Sequence, residues 1–196
     1  MDQVVLASRS PRRQALLKQM GIPFLVHSEE VDETWNGSDS FEEFACALAR
    51  KKVEAVLSKN EWVRYRWFIG ADTLVVADNQ VLAKPRNREE AQQFLHLLSG
   101  RIHSVITGAC LFDRKQGCFD TVYDKAWVRF APLSEAEIER YLDTQEWEGV
   151  AGGYRIQERA ACFIESIQGN YSTVMGLPIR SIYVILMRNG YPFWDT

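Results

Sequence analysis

Trp67-Phe68-Ile69-Gly70-Ala71-Asp72-Thr73-Leu74-Val75-Val76-Ala77 is the stretch on which the fold turns. Its apolar continuity and its β-branched and aromatic content predict a buried strand of the kind found inside an α/β sheet. Gly70-Ala71-Asp72-Thr73 read as an interruption of that strand, which puts the Asp72 carboxylate at a strand end. An aspartate in so apolar a run costs desolvation unless a cation or a hydrogen-bond network compensates it. The interruption is therefore the place to expect chemistry.

Working outward, residues 4–7 form a short apolar run suited to a buried strand, and Ser10-Pro11 supply a cap and a first-turn proline. A helix is predicted over 11–20, stopped by Gly21 before Pro23, with a second strand starting within 22–26. Ser40 and Glu43 have capping-box spacing, and the helix they open buries Phe44, Leu48 and Val56, so Lys51 and Lys52 are helical. Beyond Ala77 come a turn at Asp78-Asn79-Gln80, a short strand to Ala83, and a helix from Asn87 or Arg88 through Leu98. Residues 102–112 and 119–130 read as paired strands around Lys115-Gln116-Gly117, and Ser134 with Glu137 caps a helix ending near Thr144. A Gly-rich segment at 149–153, a strand near 162–167 and a helix over 178–188 complete the chain. This alternation, without internal repeat, predicts an α/β or α+β fold in a single domain, 1–196.

The bulk numbers narrow the function classes. At 196 residues the chain can bury a real core, and 46% hydrophobic with 25% charged content fits a globular protein. Its 23 basic and 26 acidic residues leave a formal charge of −3, which argues against a nucleic-acid-binding surface or an acidic-membrane anchor. Cys46, Cys110, Cys118 and Cys162 have no C-x-x-C spacing and no zinc pattern, and read as reduced thiols. No signal-peptide pattern opens the sequence and no 18-residue apolar stretch follows, so a cytoplasmic location is expected.

The residues that could carry chemistry are few. Ser8-Arg9-Ser10-Pro11-Arg12-Arg13 sits where a strand gives way to a helix, so backbone N–H groups and two guanidinium forks can meet an anion there. Glu33 lies in a polar connection, Lys52 on a charged helix face, and Lys84 is held extended by Pro85. Lysines offer point charges to phosphates, and a Mg²⁺ ion prefers a few carboxylates, retained waters and phosphate oxygens. His103 has no nearby nucleophile and reads as structural. Trp35, Trp62, Trp67, Trp127, Trp147 and Trp194 are too dispersed for a stacking platform and are assigned mostly to packing.

Taken with Leu48-Ala49-Arg50-Lys51-Lys52, Lys84-Pro85, the run from Leu98 to Gly108, Ala151-Gly152-Gly153-Tyr154-Arg155-Ile156-Gln157 and the run from Gly169 to Pro178, these segments resemble the Maf family of nucleoside triphosphate pyrophosphatases. The resemblance implies a mixed twisted sheet with flanking helices, two lobes around an active-site cleft, similar to inosine triphosphatases, and a homodimer. It implies hydrolysis between the α- and β-phosphates with a divalent cation, Mg²⁺ or Mn²⁺, held by Glu33 and Asp72. By the same resemblance Asp72 is the proton acceptor, Glu33, Lys52 and Lys84 complete the catalytic set, and Ser8, Arg12, Arg13, Thr73 and Gln157 bind substrate. The Tyr-x-Ile-Gln form at Tyr154 to Gln157 resembles the subgroup acting on dTTP and UTP; methylated GTP, or nucleotide binding without turnover in a regulator of cell division, are the alternatives. Two departures from the family pattern stand out: Arg155 in place of a common glycine, and Glu158-Arg159 where a small, Gly-rich continuation is usual.

Overall fold

Parallel neighbours need a crossover between them, and the first third of the chain supplies two. The computed structural model, which describes residues 1–34 and 39–195, pairs β1 (Val4–Leu6) in parallel with both β2 (Phe24–Val26) and β3 (Trp67–Ala77). Helices α1 (Pro11–Gln19) and α2 (Phe41–Leu57) lie in the two connections. Trp35 lies outside the described residues. Asp78 and Asn79 both take left-handed backbone angles, φ 47° and 58°, and turn β3 into antiparallel β4 (Gln80–Leu82). Two successive left-handed residues suit the twist of a tight hairpin.

The chain continues through α3 (Arg88–Leu98), β5 (Ile102–Asp113), β6 (Cys118–Phe130), α4 (Glu135–Asp143), β7 (Ile164–Gln168), α5 (Tyr171–Met175) and α6 (Ile179–Arg188). The strands form one seven-stranded mixed sheet in the order β2-β1-β3-β5-β6-β7, with β4 on β3. This is the expected α/β class. The chain divides into two compact units: Met1–Asp72, Thr107–Asp124 and Gly176–Thr196 in the first, Thr73–Ile106 and Lys125–Met175 in the second.

In the first unit α2 packs Ala49, Val53 and Val56 with Val5, Ala7, Phe68 and Cys110. Here the expectation of an interrupted strand is corrected: β3 runs unbroken from Trp67 to Ala77, and Asp72 sits mid-strand. Gly70 is there for a neighbour. A Cβ at Gly70 would lie 2.4 Å from the Ala49 carbonyl oxygen and 2.7 Å from Val53 Cγ2, and one at Gly108 would lie 2.3 Å from the Ala45 carbonyl carbon. Two glycines therefore let the α2 backbone rest directly on the strands. Residues 70 and 72 share one face of β3, so the contact that seats Ala49 on Gly70 brings the next helical residues to Asp72.

The second unit has its own core, in which Leu95 and Leu98 of α3 and Ile138, Tyr141 and Leu142 of α4 meet Val105, Val128 and Phe130. The expected capping boxes form at Ser40 and Ser134, each serine Oγ accepting from the backbone N–H of Glu43 or Glu137, while that glutamate accepts from the serine N–H. Ser10 occupies the N-cap position of α1 but makes no side-chain cap bond, contrary to expectation. Among the described residues no helix is long and apolar enough to cross a membrane.

Candidate active site

Ser8 is bonded just ahead of α1, where Ser10 makes no side-chain cap bond. Its Oγ accepts from the Ser10 backbone N–H at 3.2 Å and from Arg13 Nη1 at 3.1 Å. Arg13 also donates through Nε to the Gly176 carbonyl at 2.8 Å, tying the start of α1 to the turn before α6. That glycine has φ 109°, a left-handed value that favours a residue without Cβ. Burial pulls the Arg13 guanidinium below its ordinary pKa, and the carboxylates of Asp72 and Glu33 oppose that fall. Positive charge is thus held near the two carboxylates.

The carboxylates themselves meet on one lysine. Lys52 Nζ donates to Asp72 Oδ1 and lies 2.6 Å from Glu33 Oε1. The side chains are 14% exposed for Lys52, 9% for Asp72 and 40% for Glu33, so the pair from α2 and β3 is nearly dry and the loop residue reaches it from solvent. Charges so placed interact more strongly than in water, and removing one would leave its partner uncompensated. Three of the four residues expected to be catalytic therefore converge. The fourth, Lys84, belongs to the second unit, where it is exposed and precedes the buried Pro85.

Thr73 and Gln157 also fall in the second unit, and Arg12 is partly buried in the first turn of α1. Gln157 follows a buried Tyr154, whose hydroxyl is 2.8 Å from His103 Nε2. Burial lowers the His103 pKa to about 4, so the ring is neutral at pH 7 and braces the strand it sits on. The run from Gly169 to Pro178 carries Gly176, but nothing in the sequence points from it to Arg13.

Among the described residues no group of three or more His, Cys, Asp or Glu side chains is arranged to hold a metal ion. The donor set that does exist is Glu33 and Asp72, two carboxylates already brought to a common cation, the Lys52 ammonium. Two hard oxygen donors, with the remaining positions left to water and phosphate, fit Mg²⁺ or Mn²⁺ rather than a softer metal.

Among known proteins, the chain is 46% identical over 196 residues to a dTTP/UTP pyrophosphatase of Symbiobacterium thermophilum, covering 99% of this chain and 97% of the relative. It is 42% identical over 191 residues to one of Pelotomaculum thermopropionicum, covering 97% and 98%, and 42% over 193 residues to one of Alkaliphilus oremlandii, covering 97% of each. The Staphylococcus aureus Ham1 structure aligns with a TM-score of 0.45 at 13% identity, over 66% of this chain and 72% of that one. The family model described as Maf-like protein matches residues 3–189, and with relatives this similar over nearly their full length the chain belongs to the Maf family.

Proposed function

We propose that the protein hydrolyses dTTP and UTP to the monophosphate and pyrophosphate, with the whole chain acting as one catalytic domain. The observation that carries this reading is the Lys52 ammonium shared by Asp72 and Glu33, in a chain whose full-length relatives are named dTTP/UTP pyrophosphatases. Glu33 and Asp72 would hold a Mg²⁺ or Mn²⁺ ion, whose contribution when bound is to neutralise triphosphate charge. Arg12, Lys52 and Lys84 supply fixed positive charge to the phosphate oxygens. Arg13, with two donors engaged by Ser8 and Gly176, adds charge and holds Ser8 in place for substrate.

Asp72 orients the attacking water and takes its proton. Lys52 engages Oδ1, so Oδ2 is the atom assigned to the proton. Water attacks the α-phosphorus and the α–β bridging oxygen leaves with pyrophosphate. Such a displacement needs positioning and electrostatics, not a covalent nucleophile. Thr73 and Gln157 face the base, the glutamine offering one acceptor and one donor function. A cytoplasmic homodimer completes the reading.

Pyrophosphate release from dTTP, UTP, CTP, GTP, methylated GTP and ITP, with Mg²⁺ and with chelator, tests it. Metal-dependent release led by dTTP and UTP is expected. Release led by a purine would overturn the substrate, and nucleotide binding without release would overturn the reaction.

A further inference from the structure

Arg155 and Glu158 lie on one turn and contact each other. The Glu158 backbone N–H donates to the Arg155 carbonyl at 3.1 Å, and Arg155 Nη1 lies 3.6 Å from Glu158 Oε1. Arg155 is itself anchored through Nη2 to the Glu148 carbonyl at 3.0 Å. Between them, Gln157 Nε2 donates to Glu158 Oε1 at 3.3 Å. A carboxylate accepts and cannot donate, so this contact fixes which end of the Gln157 amide faces Glu158. Gln157 Oε1 is then the end left over; it is buried and, among the described residues, accepts no hydrogen bond.

We infer that Glu158, braced by Arg155, is a positioning residue that sets Gln157 to present an acceptor, and thereby strengthens this chain's preference for thymine and uracil over cytosine. The inference rests on the reading above that Gln157 meets the base. Thymine and uracil carry an N–H at ring position 3, which a carbonyl oxygen accepts. Cytosine carries a lone pair there, which the same oxygen repels. An amide free to turn over would satisfy either base, so an unpinned glutamine discriminates weakly and a pinned one discriminates by hydrogen-bond polarity. Because Oε1 accepts no hydrogen bond from the described residues, a base N–H that reaches it displaces no existing partner.

The test is kcat/KM for dTTP and dCTP in wild type, E158Q and E158A, with melting temperature measured alongside. E158Q keeps size and loses the acceptor-only character, so it carries the decision if E158A is poorly folded. The dTTP-to-dCTP ratio is expected to fall roughly three- to tenfold, the worth of one hydrogen bond, with dCTP gaining. An unmoved ratio, or an equal loss on both nucleotides, in folded E158Q would overturn the inference while wild-type turnover of dTTP and UTP left the parent reading standing. Wild type without activity on either would sink both.

Discussion

Asp72 and Asp113 are both buried carboxylates of the first unit, each facing a cation, yet the two sites are built differently. Asp113 meets the Arg66 fork with both oxygens, Oδ1 to Nε and Oδ2 to Nη2 at 2.8 Å each, and also accepts from the Lys115 N–H at 2.9 Å. Arg66 in turn stacks over Trp67, 4.1 Å from the ring centroid. Asp72 is held through Oδ1 by an ammonium that it shares with Glu33. A carboxylate saturated by a planar fork is fixed in place and has nothing to offer a substrate. One held at a single oxygen by a point charge keeps a basic atom and a partner that can also serve phosphate.

The largest expected effect comes from the member proposed as the base. Asp72→Asn is nearly isosteric but cannot take a proton, so turnover should fall by about 10²–10⁴-fold. Single-turnover rates on folded protein measure this, and near-normal turnover would move the base elsewhere. Asp113→Asn should do the converse, costing about 2–4 kcal/mol of stability in urea unfolding, discounted because Arg66 is a third exposed. Turnover per folded molecule should be unchanged; a matching loss of activity would erase the distinction between the two aspartates.

Acidification tests the Asp113 pair by a second route. The Arg66 hydrogen bonds hold the Asp113 carboxyl below its ordinary 3.8. Its contribution is present above that value and is lost as pH falls through the lower folded value, where the unfolded chain has already bound the proton. The acid limb of melting temperature against pH, below about pH 4, should therefore be shallower in Asp113→Asn. A separate effect at higher pH belongs to the second unit. His103 titrates at about 4 when folded against 6.5 when free, so stability should decline as pH falls from 6.5 toward 4. His103→Gln should flatten that window, and an unaltered curve would show that the ring is not the titrating group.

How much of this was legible in the sequence follows the range of the interactions. Capping boxes at Ser40 and Ser134 close within three residues and were readable. The apolar run of β3 is plain in the sequence, but its Gly-Ala-Asp-Thr centre resembles a break, because Gly70 answers to Ala49, a residue on another element. Residue type makes Ser10 a cap candidate, yet it makes no side-chain cap bond, and the neighbouring Ser8 is instead held by Arg13, whose other partner, Gly176, is 163 residues away. Glu33, Lys52 and Asp72 could each be nominated by type. Their meeting on one ammonium depends on how closely α2 lies on the sheet, which spacing along the chain does not encode.

The most direct measurement of the central claim is turnover of dTTP in ¹⁸O-labelled water, with both products weighed by mass spectrometry. Water positioned by Asp72 for attack at the α-phosphorus should place the label in the thymidine monophosphate and leave pyrophosphate unlabelled. Label in the pyrophosphate would mean attack at the β-phosphorus and would contradict the arrangement proposed for Asp72, Glu33 and Lys52.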